Sequence, residues 1–372
     1  MVGLILVLSA LSLDVKWEIA ETGVYRPFVL REVAVTDGGD VLIVHRKEAK
    51  VLKYDSDGAL VTTIGQRGQG PGEFALPTWI HYQNGKFYVE DENQNRVSSF
   101  EESGKFIESI TLPESNYVIE KVQGGWIYGD WDTSDDTSRP VKLVLVDDHF
   151  KNPRVIATWQ RPTENSSASV QSQDGKIPAI PINPAVDESL LTVSPDGKFA
   201  FFIRNGSSNL EIVDIAAEKI VGVRENDLKP VPFNENWGQK RLDSLIEQVT
   251  GGAEGLPIKF VPNFPSHFPT VRNLETKPNG DVVIVLWTGL PDKNQKVLVY
   301  GPDHQPKKPK FTSETLSRWL ADRGEWSYVT YFDAEEEEGR IACVKTAELD
   351  NFAAKHPVIF DGLSGNAVIN ID

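Results

Sequence analysis

Residues 31–64 read REVAVT-DGGD-VLIVH-RKEAK-VLKYD-SDG-ALVTTI. Val, Ile and Tyr alternate with polar residues in short runs, the period of a half-buried strand. The runs are separated by DGG and SDG, which supply the positive-φ positions of tight hairpin turns. This is a four-stranded antiparallel meander of about thirty-five residues, the length of one blade in a radial repeat.

The unit recurs outward from there. Residues 78–110 give TWIHYQ-NGK-FYVED-ENQNR-VSSFE-ESGK-FIESI, and 190–224 give LLTVS-PDGK-FAFFIR-NGSSN-LEIVDI-AAEK-IVGVR. Looser copies occupy 117–158 and 272–311, and a degraded one reads WSYVTYFD-EEEEG-RIACVKT. The first-turn glycines are assigned as Gly39, Gly85, Gly125, Gly197, Gly280 and Gly339. Six meanders without helices between strands predict an all-β fold, a six-bladed β-propeller. Segments 15–22 and 366–371 are the candidates to close the ring.

Two segments have helical spacing. Residues 234–250 place Leu242, Leu245, Ile246 and Val249 on one stripe, predicting an amphipathic helix inserted between blades four and five. Such a helix either docks on the propeller or acts as a lid hinged at Gly251, Gly252 and Gly255. Residues 312–323, TSETLSRWLADR, are expected to form a second, shorter helix stopped by Gly324. The Ser- and Pro-rich stretch 160–189 reads as a long surface excursion.

The 372 residues carry 38 Lys and Arg against 54 Asp and Glu, a net charge of −16. That balance repels phosphate, so nucleic acid is excluded as a partner. The single cysteine, Cys343, rules out an intramolecular disulfide and a multi-cysteine metal site. Residues 4–13, LILVLSALSL, are too short to span a bilayer but suit the core of a signal peptide. Residues 1–13 are therefore read as a leader cleaved after Ser12, and 14–372 as one exported propeller domain, periplasmic or extracellular.

The run Gly65-Gln-Arg-Gly-Gln-Gly-Pro-Gly-Glu-Phe74, followed by Leu76-Pro77, resembles the inter-blade signature of the NHL-repeat family. YVEDENQNRVSSFEESGKF (88–106) resembles the same family's strand–loop–strand motif, with Asp91 and Arg96 five apart, then Phe100 and Gly104. It departs in Gln94, where the family usually has Asn. The first unit has His45 in the Asp place and Lys50 in the Arg place. The likeness is specific over about 33–106 and implies an exported bacterial six-bladed propeller. The simplest role for Asp91 and Arg96 is a clasp across one loop. NHL-like lyases and lactonases also imply an alternative, a hydrolase or lyase with calcium or zinc in the central channel.

The residues alone name no catalytic set. There is no G-x-S-x-G, and Cys343 lies within a strand run. His45, His81, His149, His267, His304 and His356 are scattered, and only His45 and His81 sit where neighbouring blades approach the axis. The stretch Asp130-Trp-Asp132-Thr-Ser134-Asp135-Asp136 lacks the Gly and Glu of a calcium loop. Glu335 to Glu338 read as a solvated turn. No cofactor is assigned. The expected function is recognition of a small polar ligand, glycan or peptide on the face built from inter-blade crossings and second-to-third-strand loops. That face would present Arg46, Arg67, Asp91, Asp130, Asp132, His267 and Trp287.

Overall fold

A computed structural model describes residues 15–19, 32–112, 118–130, 140–160, 169–172, 180–181, 189–226, 228–250, 260–287, 297–307, 318–333, 338–348, 360–361 and 366–367. Six four-stranded antiparallel sheets form the blades of a β-propeller. Blades I to V run consecutively in the chain, over 33–64, 77–111, 118–159, 190–224 and 271–307. In each, strand order follows chain order. The first strands of all six sheets line one central cavity, so they are the innermost.

Blade VI closes the ring. Its inner three strands are Arg318–Arg323, Trp326–Asp333 and Glu338–Lys345, and its outermost strand is the N-terminal Val15–Ile19. Trp17 pairs with Cys343 and Ile19 with Ile341 across that junction. The N-terminal strand also holds the neighbouring blade: Trp17 Nε1 and Lys16 Nζ both donate to the Ser56 carbonyl, at 2.9 Å each. Lys16 also pairs with Asp57 at 2.6 Å.

Three expectations are corrected here. Residues 318–323 form a strand, not part of a helix. The inner hairpin of blade VI turns at Gly324, and Gly339 lies inside a strand. Only the N-terminal closing candidate enters a blade. Asn366–Ala367 pairs instead with Phe360–Asp361 in a separate two-stranded ribbon.

The core lies between blades, where each sheet packs its inward residues on the next. Blades I and II share Leu42, Val44, Phe74, Phe87 and Phe100, all within 1 % of full burial. Blades III and IV share Ile127, Leu143, Phe202 and Val213. Burial of this apolar surface is the main drive for closure, at roughly 25 cal/mol per Å2.

The helix Glu235–Thr250 lies between blades IV and V in the chain. Asn234 caps it, its Oδ1 accepting from Trp237 N at 2.9 Å. It is docked. Trp237 meets Phe268 and Trp287 edge-on, with ring centroids 5.4 and 5.9 Å away. Leu242 is 2 % exposed. Gly238 is required by contact: a Cβ there would lie 2.8 Å from Phe233 and Phe264 ring carbons. The side chains of Leu245, Ile246 and Val249, and the proposed hinge glycines, lie outside the described residues. So do the leader with its cleavage point, and Glu335–Glu337. Of the excursion 160–189, Ser169–Ser172 pairs with Phe260–Asn263 from the next inter-blade insertion and with Ile180–Pro181. The two insertions therefore share one small sheet.

Candidate functional site

The Gly-rich crossing from blade I to blade II explains why Asp91, Arg67 and Arg96 stand where they do. Residues 65–76 must reverse tightly, and Gly65 adopts φ +77°, with a hypothetical Cβ 2.4 Å from the Phe74 ring. Backbone N–H groups in such a crossing need acceptors. Asp91, fully buried, accepts from Ala75 N at 2.6 Å, Leu76 N at 3.1 Å, Gln94 N at 3.1 Å and Gln94 Nε2 at 2.7 Å. Arg96 donates to the carbonyls of Gly70 and Glu73, at 3.0 and 2.8 Å. Arg67 donates to Ala75 O at 3.2 Å and Lys47 O at 2.7 Å. Glu73 accepts from Gln66 and the Gly70 N–H, and these bonds hold its carboxyl below the usual range.

Asp91 and Arg96 are thus partners in one clasp, but each grips the crossing and not the other. The spacing of five has a local cause. Asp91 caps a short 3-10 turn, Glu92–Gln94, and Asn95 takes the left-handed conformation before the next strand. His45 does the same work in blade I: its Nδ1 accepts from Glu48 N at 3.2 Å, and Ala49 is left-handed. The His-for-Asp replacement therefore preserves the cap, and its Nδ1 is occupied.

The other predicted site residues fall in separate places. Arg46, on the same loop as His45, lies 3.7 Å from the buried Glu32 and 3.9 Å from Glu92. His267 is exposed, with Nδ1 2.9 Å from Ser266 Oγ. Trp287 is 5 % exposed, packed on Phe268 at 4.8 Å, with the Arg272 guanidinium 5.3 Å over its ring. His267 and Trp287 thus flank one aromatic cluster, at the foot of the helix. Asp130 ends the second strand of blade III opposite Lys142, and Asp132 lies outside the described residues.

A cavity lies elsewhere, in the channel. It encloses about 240 Å3. Its walls come from the innermost strands, mostly from their C-terminal halves and the first turns after them, so it sits toward the face opposite the crossings. Its polar lining includes His81, Glu120, Thr192, Glu275, Thr276 and Lys277. Trp79 stacks on His81 at 5.5 Å. Thr192 donates to Thr276 across blades IV and V at 3.3 Å. Lys277 is 8 % exposed and pairs with Glu275 at 2.6 Å. Near the rim, Tyr82 donates to Glu102 at 2.6 Å, and burial, then that carboxylate, raises its pKa to about 12. Among the described residues, no three His, Cys, Asp or Glu side chains are grouped as a metal site requires.

Sequence reasoning singled out His81 in this set because it lay on an inner strand. It missed Thr192, Glu275 and Lys277. The available signal was the adjacency of Glu275-Thr-Lys277 to the Asn279-Gly280 turn, at the end of an innermost strand.

Residues 28–184 match the DUF5128 family, described as a 6-bladed β-propeller. The architecture agrees with that description over the whole ring. No curated protein matches the chain. Among solved structures, a DUF4221-family protein of Bacteroides vulgatus is 11 % identical with a TM-score of 0.51, covering 90 % of this chain and 97 % of its own. A Bacteroides fragilis protein named as exported is 13 % identical with a TM-score of 0.48, covering 88 % and 92 %. At 11 % identity the likeness to the Bacteroides vulgatus protein concerns the fold. No helix among the described residues is long and apolar enough to cross a membrane.

Proposed function

We propose that this chain is an exported, NHL-like β-propeller that binds a small polar ligand, and that the ligand occupies the central channel. The observation that carries the reading is the channel itself. A concave site on which several polar groups converge, here with a lining more polar than apolar, suits a small polar ligand. At about 240 Å3 this one is smaller than the roughly 300–1,000 Å3 of drug-sized sites, which favours a ligand of monosaccharide or amino-acid size. On the opposite face, Arg67 and Asp91 already spend their hydrogen bonds on the crossing. The apolar leader 4–13 supports export, with a mature chain starting near Leu13.

The test is a thermal-shift and native mass-spectrometry screen against small polar molecules, repeated with Thr192→Trp, which fills the channel. A bound ligand that Thr192→Trp abolishes, in a variant with unchanged circular dichroism, is the expected result. Undiminished binding by that variant removes the ligand from the channel. Amino-terminal sequencing of the exported protein tests the leader; a retained Met1 argues against it. The alternative, a hydrolase or lyase with a channel metal, predicts a stoichiometric ion in the purified protein.

A further inference from the structure

The channel pairs a buried cation with an unfilled set of donors. Lys277 is 8 % exposed, yet the only acceptor its ammonium meets among the described residues is Glu275 Oε1, at 2.6 Å. An ammonium has three donors, and a buried charge is costly unless it is well hydrogen-bonded. Compare Lys121, 3 % exposed on the innermost strand of blade III, which donates to Val122 O, Gly125 O and Asp148 Oδ1, each at 2.9 Å. That lysine is saturated by its own protein. Lys277 is not, and it lines a cavity. Among the described residues nothing meets the second carboxylate oxygen of its partner Glu275, and the Thr192–Thr276 hydroxyl pair lines the same cavity.

Resting on the channel reading above, we infer that the ligand is a small hydroxylated carboxylate, of the sugar-acid class. Its carboxylate accepts the two open donors of Lys277. Its hydroxyls donate to Glu275 and exchange hydrogen bonds with Thr192 and Thr276. A carboxylate is favoured over a neutral acceptor because charge-assisted bonds are roughly twice as strong as neutral ones. Hydroxyls are required because Glu275, an acceptor, stands directly beside the cation and would repel a bare anion. Trp79, 3 % exposed, is among the apolar residues that line the cavity.

The experiment is isothermal titration of the intact protein with D-galacturonate and D-gluconate, set against D-galactose and acetate. A sugar acid binds, and both controls bind at least about tenfold more weakly, as expected from loss of a hydrogen bond to a charged group. Lys277→Met weakens sugar-acid binding by about tenfold or more, whereas Lys277→Arg, which keeps charge and donors, retains most of it. Glu275→Gln keeps the shape of the pair, removes the competing charge and tightens binding severalfold. If Lys277→Met fails to fold, Glu275→Gln decides. Failure of both sugar acids to bind, unchanged affinity in Lys277→Met, or weaker binding in Glu275→Gln overturns the inference. Equal binding of D-galactose and D-galacturonate, lost together in Thr192→Trp, overturns the inference but leaves the channel reading standing.

Discussion

Replacing Asp91 by Ala tests whether the inter-blade crossing is held as described. The carboxylate is fully buried and accepts four hydrogen bonds, two of them from the crossing's own backbone at Ala75 and Leu76. A hydrogen bond to a charged group contributes about 1.5–3 kcal/mol. The two Gln94 bonds lie within the 3-10 turn and fall to local rearrangement, so the two crossing bonds set the scale. Their loss, with two N–H groups stranded near the core, should cost about 3–5 kcal/mol. Asp91→Asn keeps one acceptor oxygen but turns an amide N–H toward one donor, and should cost about half as much. Urea unfolding followed by tryptophan fluorescence measures both, as a shift in midpoint at constant slope. A loss below about 1 kcal/mol in Asp91→Ala would refute the clasp.

Three further outcomes are expected. Gly238→Ala should lower the melting temperature, although helix propensity alone predicts a gain of about 0.5–1 kcal/mol, because the new Cβ meets Phe233 and Phe264 at 2.8 Å; a higher melting temperature means the helix is not seated as described. Stability should hold up to about pH 9 and fall between pH 9 and 12. Burial raises Cys343 to about 11 and Tyr82 and Tyr328 to about 12, each above its ordinary value, so the folded state keeps protons that the unfolded chain releases, and its advantage drains away across that window. Denaturant midpoints from pH 8 to 12 test this, and a rising midpoint above pH 10 contradicts it. Cys343, with no exposed surface, should resist maleimide at pH 7 until the chain is unfolded; rapid labelling of native protein would show that blade VI opens.

The legible parts of the fold were those where turn chemistry and strand period agree. In blades I, II and IV a Gly-containing hairpin follows each inner strand, and the meander could be traced residue by residue. Blade VI was misread at 318–323 because a β-bulge between Trp319 and Ala321 breaks the alternation. The remaining pattern, Leu316, Trp319, Leu320, imitates a helical face. The acidic run Glu335–Glu338 reads as a solvated turn in the sequence, which places the turn glycine at Gly339 instead of Gly324. The acidic and basic residues of the crossing were also visible as a group, and the clasp reading of Asp91 and Arg96 was sound in kind. Its partners were hidden, since backbone N–H and C=O groups leave no mark in a sequence. The channel was the least legible feature. Which side of an inner strand faces the axis depends on the tilt of its blade, so Glu275 and Lys277 could not be distinguished from surface residues of the same hairpin. Only their common place in the lining of one lumen reveals them.

The ring is closed by the N-terminal strand, which completes blade VI, and one substitution tests that directly. Trp17 and Cys343 are register partners on neighbouring strands, and Cys343 is the protein's only cysteine. Directly opposed residues in an antiparallel pair have Cβ atoms about 4.5–5.5 Å apart, close enough for a disulfide after small adjustment. In Trp17→Cys, mild oxidation followed by peptide mapping should recover one linked peptide joining residues 17 and 343, with the loss of two hydrogens. Recovery of both cysteines as free thiols under the same oxidation, with residue 17 open to maleimide in the folded protein, would contradict closure of the ring by the N-terminal strand.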